Sequence, residues 1–443
     1  MKQKDNPDSS FYNGGRKTHW AVVAFAMIGS CMSGVTFVSV PGMVGTSSFG
    51  YLQMCLGFFL GYLVIAFVLT PLYFKLNVVS IYQYLENRFG LASYKTGAWF
   101  FFISKMLGAS VRLFLVCLTL QLLVFGPLGL PFWLNVICNV AVCLALTFRR
   151  GVKSVIGVDV IRTACMIVAV ALSIFFIGRD LGGIQIHERV FFFDDVNHPQ
   201  YFWKQLLGGL FTVIAMTGLD QDMMQRTLAC KNHRDSQKNL VVSSLLQTAV
   251  IAGFLCLGSL LYQFAAAHGI TETGDSLFPA VATGGLLPAI VGVLFIVGLL
   301  ISAYGAGGSA LTSLTTSFTV DILGKASEVK VRKTVHLAMA VLMAVTIIVF
   351  NALNSTSAID AVYKLASYTY GPILGLFAFG ILTKKQVKDR YVPLVALLAP
   401  AICLILQLNS ERWFGGYKFS YELLLLNATL TFLGLCLLIR RNK

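Results

Sequence analysis

HWAVVAFAMIGSCMSGVTFVSVPGMV, residues 19–44, decides how the chain is read. It is apolar and long enough to cross a hydrocarbon core of roughly 30 Å. Yet it is interrupted at Ser33-Gly34-Val35-Thr36 and again at Val40-Pro41-Gly42. Glycine and proline survive at membrane depth where neighbours or a cavity satisfy the freed backbone groups. A second interruption is expected at Tyr368-Thr369-Tyr370-Gly371-Pro372. A proline kink would explain either stretch alone; two interrupted spans together point to a transport site.

Similar apolar runs fill the chain, at about 19–44, 51–76, 95–125, 131–148, 153–178, 204–223, 238–265, 285–321, 334–353, 357–383, 390–408 and 420–439. Hydrophobic residues make up 57% of the sequence and charged ones only 12%. That charge fraction is about half of what a soluble domain carries. The runs lack the two-residue alternation of a β-barrel, so the reading is an all-α polytopic membrane protein. If its core were two inverted five-helix repeats, the partner of the first break would fall in the sixth run. Only Gly208-Gly209 and Thr217-Gly218 hint at it there. Residues 79–90, SIYQYLENRFGL, read as an amphipathic helix on the inner surface. Residues 186–203 form the longest outer loop, either a cap over the outer vestibule or an inert connection.

The net charge of +15 raises the question of nucleic acid, but its placement answers it. The basic residues, Arg226 counted among them, gather in the short loops of one side. That fixes an even number of spans with both ends cytoplasmic, in the cell membrane and its lipid. No nucleic-acid partner is expected. Residues 1–18 are polar and contain no cleavable signal pattern. The ten cysteines form no CxxC pair or Cys/His cluster, so no metal site or cofactor is expected beyond a sodium ion. No nucleophile with a neighbouring base appears, and neither does a Gly-rich phosphate loop or a ring of like charge. Enzyme and channel are therefore poor readings.

Four basic residues remain inside the runs: Lys105, Arg112, Arg162 and Lys364. Lys105 is read as snorkelling toward an interface. Lys364 is one turn beyond Asp360, an available partner. Asp159 lies three residues before Arg162, on the same helix face. Arg112, in GASVRLFLV, is the deepest. It is either the grip for an anionic solute, through a bidentate fork to a carboxylate, or a structural bond to helix-end carbonyls.

Four stretches, GLDQDMMQRTLACKN at 218–232, YGPILGLFAFGILTKK at 370–385, SALTSLTTSFTVDIL at 309–323 and FRRGVKSVIGVDVIRT at 148–163, resemble motifs of the sodium:solute symporter family. The resemblance runs from about residue 11 to 390. It implies a leucine-transporter-like five-plus-five inverted repeat, with residues 19–178 as the first repeat and 204–383 as the second. Residues 1–18 would be a cytoplasmic segment and 384–443 two additional helices. SSFYNGGRKTHW at 9–20 resembles the segment that follows a leading helix in most relatives, so that helix is expected to be missing. The solute positions fall at Ser33 and Thr36, with Tyr51, Gln53 or Tyr368 alongside. Arg112 resembles the third-helix arginine that holds the carboxylate in members carrying sialic acids.

Two departures touch sodium. The conserved sodium site maps onto the carbonyls of Gly29, Met32 and Ser302 and onto two hydroxyl positions, here Gly305 and Ala306. Neither side chain can coordinate a hard cation. Asp159 and Ser309 match a second sodium site, but the family's glutamine one turn on is Arg162. A guanidinium there would stand in for the missing cation, while backbone carbonyls and water alone could still hold sodium more weakly. The expected function is alternating-access movement of a small polar, anionic organic solute, with sodium coupling in doubt. The competing reading is a sensor derived from a transporter, which binds solute without turning it over.

Overall fold

The computed structural model describes residues 18–32, 34–76, 78, 80–148, 152–184, 186, 191–195, 198, 200–325, 328–353, 358–415, 419 and 422–440. Eight helices in it are long and apolar enough to span a membrane. Two bent pairs and two shorter apolar helices accompany them, in line with the twelve runs. Among the described residues the only extended pairings are isolated bridges, Thr18 with Cys230 and Val387 with Ile439. Large apolar side chains such as Phe67, Phe175 and Leu397 are exposed along the helices, where lipid would cover them.

The first span is α1 (Trp20–Cys31) followed by α2 (Gly34–Gly42), and the axes on either side of the break differ by 62°. Tyr262 ties down the far end of α2, donating to Gly42 O at 2.6 Å and accepting from Gly274 N at 3.1 Å. The core continues through α3 (Tyr51–Leu76), α4 (Leu91–Leu120), α5 (Phe132–Thr147) and α6 (Val152–Asp180). Then come α7 (Phe202–Gly218) and α8 (Gln221–Thr227), bent by 73°. The remaining helices are α9 (His233–His268), α10 (Ala289–Ile322), α11 (Val329–Leu353), α12 (Ala358–Leu382), α13 (Val392–Leu408) and α14 (Glu422–Leu437).

The second break therefore lies in the sixth span. The tenth, expected to be interrupted, runs through Pro372 as one helix, α12. The reason is how freed backbone groups are satisfied. At the α7–α8 junction the Tyr73 hydroxyl donates to Gly218 O at 3.0 Å and the Tyr82 hydroxyl to Leu219 O at 2.8 Å. The Asp220 carboxylate accepts from Asp222 N at 2.8 Å and Met223 N at 3.2 Å, capping α8. These partners replace the helical bonds that the bend removes. In α12, Asn427 of α14 donates to Ser367 O and Tyr368 O at 2.9 and 3.1 Å, which meets the carbonyls left by Pro372 without a break.

The segment expected as an inner surface helix is shorter, Gln83–Arg88, and packed inward. Ile81, Tyr82 and Leu85 are fully buried, and Arg88 donates to Gly380 O, Thr383 O and Lys385 O at the end of α12. For function the important packing is that of α6, which lies against both α1 and α10, and of α4, which lies against α10 and α12.

Candidate functional site

Two regions at the centre of the bundle hold the candidate residues. One is a closed charge cluster between α6, α8 and α10; the other is a cavity between α4, α7 and α12.

Asp159 on α6 is the hub of the cluster and is fully buried. Its Oδ1 faces Arg162 Nη2 at 3.2 Å, one helical turn on. Its Oδ2 accepts from Arg226 Nε at 2.9 Å and lies 2.8 Å from the Ser30 hydroxyl of α1. Arg226 also donates to Asp222 Oδ1 at 2.8 Å and to the Ser309 hydroxyl of α10, which in turn donates to Asp222. Lys105 of α4 extends the network, 2.6 Å from Asp222 Oδ2 and 3.2 Å from Asp220 Oδ2. Three cations thus face three carboxylates, Arg162 and Arg226 enclosed and Lys105 and Asp220 at the cavity wall. Breaking one such pair strands a charge, which is worth several kcal/mol.

Lys105 therefore does not snorkel; it is 7% exposed and bound on both sides. Arg226 is no loop cation either, since it is 2% exposed at the middle of the cluster. The signal for both was present in DQDMMQR: an acidic pair two residues apart, with an arginine one turn beyond Asp222. A loop assignment hid it, because the bend in the sixth span was not seen to place this segment inside.

Arg162 takes up the ground between α1, α6 and α10. Its Nη1 donates to Ser302 O at 3.0 Å, a carbonyl assigned by resemblance to the conserved sodium site. A Cβ on Gly305 would stand 2.9 Å from that Nη1 and 3.3 Å from Asp159 Oδ1. A Cβ on Gly29 would stand 3.1 Å from Arg162 Nε. Gly305 is thus small where a hydroxyl side chain would meet the guanidinium. Thr163 closes the same corner, its hydroxyl within 3.0 Å of Phe25 O and 2.8 Å of Asp159 O. A hard cation finds a poor fit here: Gly305 and Ala306 offer no side-chain oxygen, and a guanidinium holds the Ser302 carbonyl.

The cavity is narrow: below its open mouth it holds about 30 Å³ of accessible space, room for about one water. Lys105, Arg112, Met216, Asp220 and Tyr370 are among the residues that line it. Gly108, one turn before Arg112, faces open space. Arg112 is half-buried and makes no hydrogen bond or ion pair among the described residues. The Tyr370 hydroxyl donates to Asp220, and Thr369 joins Ser104 at 2.7 Å.

The other solute candidates lie apart from this wall. Gln53 is fully buried and grips the outer loop, accepting from Phe193 N at 3.2 Å and donating to Gln200 O at 2.9 Å. Tyr51 stacks edge-on against Phe58, and Tyr368 donates to Gln407 of α13. Thr36 is half-buried on α2 and does not line the cavity. Met32 closes α1 through its own N–H to Ile28 O at 3.0 Å. Ser33 lies outside the described residues, and so do the side chains of Lys364 and Asp360, which were expected to pair. Sequence reasoning missed Asp220, Asp222, Arg226 and Tyr370.

Two bent spans in a bundle of apolar helices fit the leucine-transporter-like fold. The sodium:solute symporter family model matches residues 11–389, and the chain belongs to that family. The sodium/sialic acid symporter NanT of Aliivibrio fischeri is 26% identical over 432 residues, covering 90% of this chain and 83% of that protein. The human sodium/iodide cotransporter is 26% identical over 264 residues, 57% of this chain and 40% of that one. Among solved structures, a substrate-bound, outward-open Na+-coupled sialic acid symporter superimposes with a TM-score of 0.80 at 19% identity, over 98% of this chain and 92% of that one. The chain is an integral membrane transporter and not an enzyme.

Proposed function

We propose that the protein carries a small carboxylated organic solute by alternating access without sodium, using Arg112 as the anchor and Arg162 as a permanently resident cation. The observation that carries this reading is the position of Arg162, whose Nη1 bonds Ser302 O while Gly305 leaves the room it needs. A guanidinium stays charged at any ordinary pH, so it neutralises Asp159 in every conformation and cannot come and go as an ion does. Arg112 supports an anionic solute, because it lines an open cavity as a cation with no ion-pair partner among the described residues. A carboxylate there would gain a charge-assisted, two-point contact. The named solute of two relatives, sialic acid, is a carboxylated sugar, which fits that chemistry. The one-sided basic loops support a topology with both ends in the cytoplasm.

The test is uptake of labelled N-acetylneuraminate, pyruvate and lactate into proteoliposomes, in sodium and in potassium salts. Equal multi-turnover uptake of one of them in both salts supports the reading. Uptake in sodium alone overturns sodium independence, and binding of one solute per protein without turnover identifies a sensor.

A further inference from the structure

We propose that Asp220 carries a proton through the transport cycle, making the protein an anion–proton symporter; this rests on the sodium-independent transport reading above. Arg162 and Arg226 are enclosed, and guanidinium groups do not release protons. Asp159 and Asp222 are poor carriers too. Protonating Asp159 would remove the carboxylate that Arg162 and Arg226 share, and protonating Asp222 would remove a counter-ion from both Arg226 and Lys105.

Asp220 differs from both. It lines the cavity, so a proton can reach it together with the solute. It shares Lys105 with Asp222, and Lys105 is held at 2.6 Å by Asp222 against 3.2 Å by Asp220. Neutralising Asp220 therefore leaves Lys105 with its nearer partner. The groups against Asp220 are Lys105 from α4, Tyr370 from α12, Tyr82 from the segment before α4, and Asp222 beside it in the chain, while Arg112 lines the same cavity without pairing with it. Its remaining bonds come from Asp222 N and Met223 N, which either protonation state can accept through one oxygen.

Coupling follows from Coulomb's law. A carboxylate resting on Arg112 puts a second negative charge into the cavity that Asp220 lines, and like charge raises a carboxyl's affinity for a proton. By linkage, a protonated Asp220 raises the affinity for the anion by the same factor. In the transport step, one proton from water on the entry side joins the Asp220 carboxylate and one anion docks on Arg112. Both leave to water on the exit side, and no net charge crosses.

The experiment uses the full chain in sodium-free, potassium-clamped proteoliposomes loaded with pyranine, probed with N-acetylneuraminate, pyruvate and lactate against protein-free vesicles. For a transported probe, the lumen should acidify on its addition. An inward gradient of about one pH unit should hold it about tenfold concentrated inside, because the two gradients balance one for one. Asp220→Asn should lower that accumulation to an equal distribution while counterflow exchange remains measurable, and Asp220→Glu should restore accumulation. Exchange without luminal acidification in the wild-type chain overturns proton coupling and leaves transport standing. Absence of counterflow for every probe overturns the transport reading and this inference with it. The wild-type measurement decides the matter even where Asp220→Asn does not fold.

Discussion

Arg162 and Arg112 are both single arginines within apolar runs, yet the fold gives them opposite surroundings. Arg162 is 1% exposed, bonded to a carbonyl and facing a carboxylate, with glycines making room for it on two neighbouring helices. Arg112 is half-buried on the wall of a cavity with open space one turn away. An enclosed cation held by a carbonyl and facing a carboxylate acts as a fixed charge. A cation beside a cavity, without a counter-ion among the described residues, can take a ligand. The same residue type is a structural ion in one place and a binding group in the other.

The largest effect expected on this comparison comes from the enclosed side. Asp159→Ala leaves two buried guanidinium groups without their shared carboxylate and should lower stability in detergent by about 3–5 kcal/mol. Thermal unfolding of the purified protein measures it, and a loss near zero would show the cluster to be hydrated. On the cavity side, Arg112→Gln should leave unfolding within about 0.5 kcal/mol of the parent. It should weaken binding of a carboxylated solute by about 1.5–3 kcal/mol, roughly 10- to 100-fold. A large loss of stability there would make Arg112 structural and erase the contrast.

Smaller effects sharpen it. Gly305→Ala places a methyl against Arg162 and should cost about 1–3 kcal/mol by overpacking. Combining it with Arg162→Ala should remove most of that penalty, a coupling that a double-mutant cycle reads directly. Tyr82→Phe frees the Leu219 carbonyl at the sixth-span bend and should cost about 1 kcal/mol.

The helical bundle was legible, because long apolar runs report membrane length directly. The first break was marked in the sequence by Gly34, whereas Pro41, expected as a second interruption, lies inside α2. The sixth-span break was only faintly marked, by Thr217-Gly218, because its carbonyls are satisfied by Tyr73 and Tyr82, more than a hundred residues earlier in the chain. Pro372 misled for the converse reason: Asn427 accommodates the proline without a break. The replacement of hydroxyls by Gly305 and Ala306 beside a new Arg162 could be read from the resemblance. That Lys105, Asp222 and Arg226 complete the network could not, since their pairing depends on how the chain bends after Gly218.

The most direct measurement is equilibrium binding of labelled sodium to the purified protein, beside the same assay on Arg162→Gln combined with Gly305→Ser and Ala306→Ser. If Arg162 is the resident cation, the parent shows no saturable sodium binding and the triple substitution gains it. Saturable binding by the parent protein would show that sodium still has its place beside Ser302, and would contradict the assignment of Arg162.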